Sequence, residues 1–173
     1  EDSDDIRLDP DLAGGALMDV GCYAVSATRN LLGEPDQVFA HAADSYDAGV
    51  DSQLSGLLTY PDGVTAQITG GFDTPLTQEY RVLAEDGWLR VPDAFDGATD
   101  QPLEITYAVD GEKHTETFGG IDQYRLQVEG FAEAVDAGET PPVDRTESVN
   151  NMAVIDALYE SADTGEPTAV DSV

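Results

Sequence analysis

The stretch "GGALMDVGCYAVSATRNLLGEP", residues 14–35, has the period of an amphipathic helix that begins behind two glycines. At about 100° per residue, its apolar side chains fall on one broad face. These are Leu17, Val20, Ala24, Ala27, Leu31 and Leu32. Its polar side chains share the other face: Asp19, Tyr23, Ser26 and Asn30. Gly33 is typical of a residue that follows the end of a helix. The stretch therefore predicts a helix over residues 15–32 with one polar side.

The rest of the chain predicts a group of strands followed by two further helices. Residues 121–137 carry an apolar stripe that includes Tyr124, and a third helix is predicted to begin at Asp144, with Glu147 three residues later. Seven segments alternate with a period of two: 37–46, 52–60, 64–72, 78–85, 88–91, 103–109 and 113–118. Turn residues at 61–63, 86–87 and 110–111 predict three antiparallel hairpins. This order predicts one α+β domain: a largely antiparallel, open-faced sheet with helices packed on one face.

The charge balance restricts the possible partners and the compartment. The 173 residues include 36 acids and 7 bases, for a net charge of −29, and 40% are hydrophobic. Phosphate backbones attract basic proteins, so no nucleic-acid partner is expected. At about 1 M salt the Debye length is only about 3 Å and screens such repulsion, which indicates a cytoplasmic protein of a salt-accumulating halophile. An acidic decoy for a basic partner is the alternative, although the acids form no single block. No apolar run predicts a membrane span or a signal peptide.

Several kinds of site lack support in the sequence. Cys22 is the only cysteine, which excludes an internal disulfide and a cysteine zinc cluster, and we expect it in the core. His41 and His114 are not spaced as metal ligands, so no metal site is predicted. Neither a Gly-x-Gly-x-x-Gly turn nor a phosphate-binding loop occurs. Ser26 and Ser161 lack the surroundings of a nucleophilic serine.

Asp19 and Tyr23 are the most informative polar pair. Residues four apart on a helix stand one above the other, so a carboxylate and a phenol would face the same space. Gly14 and Gly15, just before them, would allow another backbone or a ligand to approach closely. Composition alone favours a solvated polar face, and a functional surface is the alternative.

The sequence around this pair is similar to that of a known protein family. "IRLDPDLAGGALMDVGCYAVSATRNLLGEP" (6–35) resembles the segment that opens the C-terminal domain of Gfo/Idh/MocA oxidoreductases, where an arginine, a glycine-rich turn and Asp-x-Gly-x-Tyr or Asp-x-Gly-x-His recur. The resemblance continues through "GGFDTPLTQEYRVLAEDGWLRVP" (70–92) and the two closing helices. It looks closest to the Tyr-bearing branch of sugar and diol dehydrogenases, such as glucose–fructose oxidoreductase and xylose dehydrogenase. Ala13 stands where the family often has the first of three glycines.

The resemblance implies the second half of a two-domain enzyme. Residues 1–173 would form a glyceraldehyde-3-phosphate dehydrogenase-like C-terminal domain for substrate binding, catalysis and oligomerisation, inactive by itself. A Rossmann domain outside this chain would bind NAD(P), with NADP favoured, and supply a lysine from a Glu-Lys-Pro motif. The substrate would be a sugar or polyol. A homodimer or homotetramer would form through the open sheet face.

The same resemblance implies roles for individual residues. Asp19 and Tyr23 match the family's catalytic carboxylate and its acid/base position. Phe72 matches an aromatic on the open sheet face near the substrate, and Arg7 matches an arginine that is either structural or substrate-orienting. Tyr124 matches a helix tyrosine near the pocket, although its apolar stripe favours a core position. Two alternatives stay open: a non-catalytic oligomerisation module, and a small-ligand-binding protein without redox chemistry.

Overall fold

Three α-helices and eight antiparallel strands make up the described part of the protein, a computed structural model that describes residues 5–95 and 101–171. The helices are α1 (Cys22–Leu32), α2 (Gln123–Ala137) and α3 (Arg145–Thr164). The strands are β1 (Gln37–Ala43), β2 (Gln53–Thr59), β3 (Thr65–Gly71), β4 (Tyr80–Ala84), β5 (Gly87–Val91), β6 (Leu103–Val109), β7 (Glu112–Phe118) and β8 (Thr168–Ala169). This content confirms the predicted α+β class, while β8 was not predicted.

The strands form two four-stranded sheets rather than the single predicted sheet. The first sheet has the order β3-β2-β1-β8 and the second has the order β4-β5-β6-β7. Every pair of neighbours in both sheets is antiparallel. The chain divides into two compact units. The first unit comprises Glu1–Thr74 and Val143–Val173, with the first sheet, α1 and α3; the second unit is Pro75–Pro142, with the second sheet and α2.

The first unit has a hydrophobic core between one sheet face and its helices. Alternate strand residues point inward, and Val38, Leu54 and Leu58 are at most 1% exposed. Gly56 lies between the two leucines, where a Cβ atom would come within 2.7 Å of the Leu158 Cδ2 atom of α3. The missing side chain therefore lets α3 approach the sheet. The opposite face of this sheet is open, as predicted.

Local turn and cap chemistry explains most element ends. The Asp144 carboxylate accepts the Glu147 N–H at 2.8 Å, which confirms the predicted start of α3. Gly138 ends α2 in the left-handed conformation, as the sequence indicates. The two-residue turn between β6 and β7 uses Asp110 and Gly111, whose φ angles are 52° and 82°. This pattern matches the hairpin turn expected there.

The hairpin between β4 and β5 differs from the prediction by one residue. Ala84 pairs with Gly87, so the turn residues are Glu85 and Asp86. Gly87 lies within β5, and a Cβ atom there would collide with the carbonyl oxygen of Ala108 on β6. The glycine is therefore explained by close strand packing rather than by the turn.

The apolar stripe of α2 is present but is not buried in this chain. Tyr124 is 63% exposed, Val128 70%, Phe131 60% and Val135 63%. Ala134 is the buried residue of this helix. The expectation that Tyr124 occupies a core position is therefore wrong for the described chain. Periodicity identifies an apolar face, but it does not show what covers that face.

Candidate functional site

A π turn, rather than an α-helical turn, opens the predicted first helix. Leu17–Gly21 is π-helical, the Cys22 N–H donates to the carbonyl oxygen of Leu17, and α1 follows. The buried row of this segment is Leu17, Gly21, Val25 and Arg29. The predicted apolar face was therefore wrong in part, since Val20 is 39% exposed and Leu31 51%. The wider turn changes the phase of the residues, which a uniform 100° period does not anticipate.

The π turn packs directly on the backbone of β3. A Cβ atom on Gly70 would lie 2.9 Å from the Gly21 Cα atom and 3.3 Å from the Ala16 carbonyl oxygen. Two glycines thus allow contact between turn and strand. The side of the helix away from the sheet presents Asp19, which is exposed, and Tyr23, which is 47% exposed. Their spacing of four residues places the carboxylate and the phenol on the same face.

The backbone of Arg7 is joined to the glycine turn that precedes this pair. Its carbonyl oxygen accepts the Gly15 N–H at 2.8 Å, and a Cβ atom on Gly14 would lie only 2.6 Å from the same oxygen. The guanidinium donates two hydrogen bonds to Asp5, at 2.9 and 2.6 Å. This hydrogen bonding raises the pKa of Arg7, and the charge of Asp19 adds a smaller increase. The negative charge of Asp19 therefore stabilises the charged form of Arg7.

Phe72 joins the same group of residues. The Arg7 guanidinium carbon lies 5.8 Å from the centre of the Phe72 ring, a cation–π distance. Phe72 directly follows β3, and its N–H donates to the carbonyl oxygen of Ser52 at 2.8 Å. The expectation that Phe72 lies on the open sheet face near the substrate stays a prediction.

The backbone conformation at Ala13 shows why related sequences often have glycine at this position. Its φ and ψ angles are 56° and 45°, in the left-handed region. Such angles cost a residue with a Cβ atom about 1–2 kcal/mol, whereas glycine adopts them freely. The backbone at this position therefore favours glycine, and the alanine is accommodated with strain.

The other residues that the sequence analysis considered lie outside the group formed by Arg7, Asp19, Tyr23 and Phe72 in the first unit. Tyr124 belongs to the second unit. Cys22 is half-buried against the core, and burial raises the pKa of its thiol, which agrees with a packing role.

His41 is exposed on β1, and His114 stacks on Tyr107 with ring centres 5.1 Å apart. Over residues 5–95 and 101–171, no cluster of three or more histidine, cysteine or acidic side chains could hold a metal ion. No helix within those ranges is long and apolar enough to cross a membrane.

Sequence reasoning missed the buried Arg29. Its side chain is 2% exposed and forms ion pairs of 2.7 Å with both Glu34 and Glu147. It also donates to the Asn151 side-chain oxygen at 3.2 Å. The hydrogen bond to Glu34 is the largest cause that raises the pKa of Arg29. The only available signal was its position four residues after Val25, in what proves to be the buried row.

Sequence reasoning also missed Asp51, which holds the start of the π turn. Its carboxylate is buried, accepts the Leu17 N–H at 2.8 Å and accepts the Tyr159 hydroxyl at 2.9 Å. These partners lie 34 and 108 residues away in the chain. No local spacing could have identified it.

Comparison with known proteins identifies the family of this chain. Residues 1–90 match the family model described as the GFO/IDH/MocA C-terminal domain. The chain is 56% identical over 169 residues to D-xylose 1-dehydrogenase (NADP(+)) 2 of Haloferax volcanii, covering 98% of this chain and 52% of that protein. It is 33% identical to dTDP-3,4-didehydro-2,6-dideoxy-alpha-D-glucose 3-reductase of Actinomadura kijaniata, over 91% of this chain and 48% of that protein. The halophilic character predicted from charge fits the Haloferax relative.

Solved structures give the same result. The aldose–aldose oxidoreductase of Caulobacter crescentus, complexed with glycerol, superposes with a TM-score of 0.85 at 27% identity, over 98% of this chain and 52% of that one. A levoglucosan dehydrogenase complex, with a TM-score of 0.81 at 15% identity, shows the same fold. The chain spans about half the length of the relatives it matches. It belongs to the GFO/IDH/MocA family of oxidoreductases and corresponds to the C-terminal domain of that family.

Proposed function

We propose that this chain is the substrate-binding, catalytic C-terminal domain of a nicotinamide-dependent sugar or polyol dehydrogenase. The observation that carries the proposal is the exposed Asp19–Tyr23 pair: Asp19 lies on the π turn and Tyr23 on the first turn of α1, and the charge of Asp19 acts on Arg7, which contacts Phe72. A π turn in a helix often marks a functional site. The name of the Haloferax relative supports a sugar substrate and favours NADP over NAD.

The reaction requires a base near a substrate hydroxyl. Oxidation of that hydroxyl removes a proton from oxygen and a hydride from carbon, and the bound nicotinamide supplies the hydride acceptor. Tyr23 would take or relay the proton, while the Asp19 carboxylate would accept a hydrogen bond from the substrate and orient it. A phenol beside a carboxylate is a poor base, so a cation must stabilise its anion. We assign that role to a lysine of a preceding Rossmann domain.

The residues of this chain fit the substrate side of such a site, but not the cofactor pyrophosphate. A helix start can bind phosphate through free N–H groups. Here the N–H of Gly15 donates to Arg7, and those of Ala16 and Leu17 donate to Asp51. A carboxylate already occupies this helix start, so an anion would be repelled. The proposal therefore places NAD(P) mainly on the Rossmann domain.

The remaining site residues have supporting roles in this proposal. The exposed edge of Phe72 would pack on the apolar face of a sugar ring, and Arg7 would orient a hydroxyl while Asp5 holds its guanidinium. Tyr124 keeps the role near the pocket that the family resemblance implies.

The open face of the first sheet supports the proposed homodimer or homotetramer. Phe39 and Leu57 lie directly opposite each other on β1 and β2, and their side chains are 44% and 37% exposed. A second copy of this face would cover both. The charge of −29 supports the cytoplasm of a salt-accumulating organism as the place of action, because high salt screens self-repulsion.

The proposed function is tested with Asp19→Asn and Tyr23→Phe in the complete protein, which includes its cofactor domain. Each should lower kcat/KM by roughly 10²-fold or more, because each removes a group that acts on the reacting hydroxyl. Asn30→Ala, at an exposed position near the end of α1, is the matched control and should leave kcat/KM unchanged.

Two results would favour the alternatives. Near-wild-type turnover in either site variant would contradict the catalytic assignment. Intact turnover in both Asp19→Asn and Tyr23→Phe, together with loss of the oligomer in Leu57→Asp as measured by light scattering, would indicate a non-catalytic oligomerisation module.

A further inference from the structure

The segment before β2 contains a buried carboxylate that binds the segment carrying the proposed catalytic pair. Asp51 is 7% exposed. Its Oδ2 atom accepts the Leu17 N–H at 2.8 Å, and its backbone carbonyl accepts the Ala16 N–H at 2.8 Å. Burying a carboxyl group is costly unless it is hydrogen-bonded, so the bond from Leu17 offsets part of the cost of burying Asp51. Asp51 thus fixes two consecutive amides just before Asp19.

Asp51 replaces a cap that the local sequence lacks. The π turn begins after Ala16, and no side chain at that position caps it. A helix start leaves N–H groups without partners, and a carboxylate is a favourable acceptor there because of the helix dipole. The cap is supplied instead from a residue 34 positions later in the chain.

Gly15 provides the space that this carboxylate needs. Its φ angle is 122°, which residues with a Cβ atom rarely adopt. A Cβ atom there would collide with the Asp51 Oδ1 atom and lie 2.9 Å from the Tyr159 hydroxyl oxygen. The second glycine of the turn is therefore explained by Asp51 rather than by a bound ligand.

Tyr159 connects the carboxylate to the core. Its hydroxyl donates to the Asp51 Oδ1 atom at 2.9 Å from α3, whose neighbouring Leu158 is fully buried. Burial, followed by the charge of Asp51, raises the pKa of Tyr159, so its hydroxyl keeps the proton that it donates. The carboxylate is therefore held by a helix that packs in the core.

We propose that Asp51 is a positioning residue for the reaction: it holds the start of the π turn and so sets where Asp19 and Tyr23 project. This inference rests on the proposed function. A displacement of about 1 Å at reacting groups can cost roughly 10²-fold in rate, so loss of this contact should affect turnover without any contact to substrate.

The first test compares Asp51→Ala with Asp51→Asn in the complete protein. Alanine leaves the Leu17 N–H and the Tyr159 hydroxyl without their acceptor. Asparagine keeps the shape, offers one oxygen to Leu17, and can donate its amide to the Tyr159 oxygen. We expect kcat to fall roughly tenfold or more in Asp51→Ala, with the KM for the nicotinamide cofactor unchanged, and to recover largely in Asp51→Asn.

Ser161→Ala is the matched control for a purely structural effect. Ser161 is fully buried in the same unit and bonds the Ala40 N–H and the Glu166 carbonyl, away from the π turn. The Ser161→Ala variant should have a lower free energy of unfolding and an unchanged kcat per folded molecule. If Asp51→Ala has a kcat within twofold of the wild-type value when fully folded, or if Asp51→Asn is as impaired as Asp51→Ala, the proposal is overturned.

A second measurement separates this inference from the proposed function. Hydrogen exchange of residues 15–22 should become roughly tenfold faster in Asp51→Ala, while the amides of α3 keep their protection. Unchanged exchange in 15–22 would overturn the positioning role even if Asp19 proves catalytic. Faster exchange would support it even if Asp19→Asn retains turnover, in which case the proposed function alone fails.

Discussion

The two units use their apolar residues differently. The first unit contains a core cluster of twelve buried residues. Eleven belong to three strands, the π turn, α1 and α3, and the twelfth is Tyr60, which follows β2. In the second unit, the buried apolar residues among those described are Ala108 and Ala134. Four large side chains of α2 are at least 60% exposed there. Both units have clear amphipathic patterns, so the difference lies in what each pattern packs against.

The proposed site lies in the first unit, which contains this core. The π turn rests on β3, and its start is fixed by Asp51 and Tyr159. Groups that act on a substrate need to be held within a fraction of an ångström, which buried contacts provide. The second unit has apolar surface that its own residues do not cover.

The largest expected effect comes from comparing one arginine in each unit. Arg29→Ala should lower the free energy of unfolding by about 3 kcal/mol, because it leaves Glu34 and Glu147 without their shared buried partner. Arg125→Ala removes an exposed pair with Glu129 and should cost less than about 0.5 kcal/mol. Urea titrations in high salt, followed by circular dichroism, measure both. Equal losses would contradict the contrast between the units.

A contrast of similar size is expected for apolar side chains. Leu158→Ala should cost about 2–4 kcal/mol, since Leu158 is fully buried between α3 and the first sheet. Phe131→Ala, at a position 60% exposed, should change stability by less than about 0.5 kcal/mol. Trp88 is the only tryptophan and lies in the second unit, so its fluorescence reports that unit separately. A large loss in Phe131→Ala would show that α2 is covered in solution.

Alkaline pH should distinguish the tyrosines of the two units. Burial and Asp51 raise the pKa of Tyr159, whereas the hydrogen bond to Glu116 raises the pKa of the exposed Tyr107. A raised folded pKa means that the folded state binds the proton more tightly. The corresponding stability is complete below about pH 10 and is lost as pH rises further. Tyr159→Phe should flatten this alkaline loss of unfolding free energy more than Tyr107→Phe does, which pH-dependent urea titrations can measure.

The smallest effect concerns two left-handed positions. Ala13→Gly should stabilise the protein by less than about 1 kcal/mol, because glycine relieves the strain but is more flexible when unfolded. Gly138→Ala, at a φ angle of 67° after α2, should destabilise it by about 1 kcal/mol. Thermal unfolding of both variants shows whether each substitution raises or lowers the stability of the protein. Destabilisation by Ala13→Gly would show that the alanine methyl makes a contact worth more than the strain.

Periodicity and turn chemistry predicted most elements, because these depend on residues close in sequence. Asp144 capped α3 and Gly138 ended α2 as expected. The exposure of Asp19 and Tyr23 was also predictable from the first helix. The buried row was not, because one wide turn shifts Arg29 into the core and Leu31 out of it. Asp51 depends on partners far away in the chain, so only the folded structure could reveal it.

The family resemblance contributed what periodicity could not. It singled out Arg7 and Phe72, which the structure brings within cation–π distance of each other. No pattern in the apolar residues would have paired them, since they are far apart in sequence.

The π turn makes the length of the segment between Gly15 and Cys22 a constraint in its own right. A π turn holds one residue more per turn than an α-helix needs, so deleting a residue there could restore an ordinary helix without breaking the fold. That change would rotate everything before it by about 100° relative to α1. The glycine turn and Arg7, which precede the deletion, would then face a different direction relative to Tyr23, while the core residues of α1 stayed in place. Insertions and deletions at this turn should therefore separate folding from activity more cleanly than most substitutions.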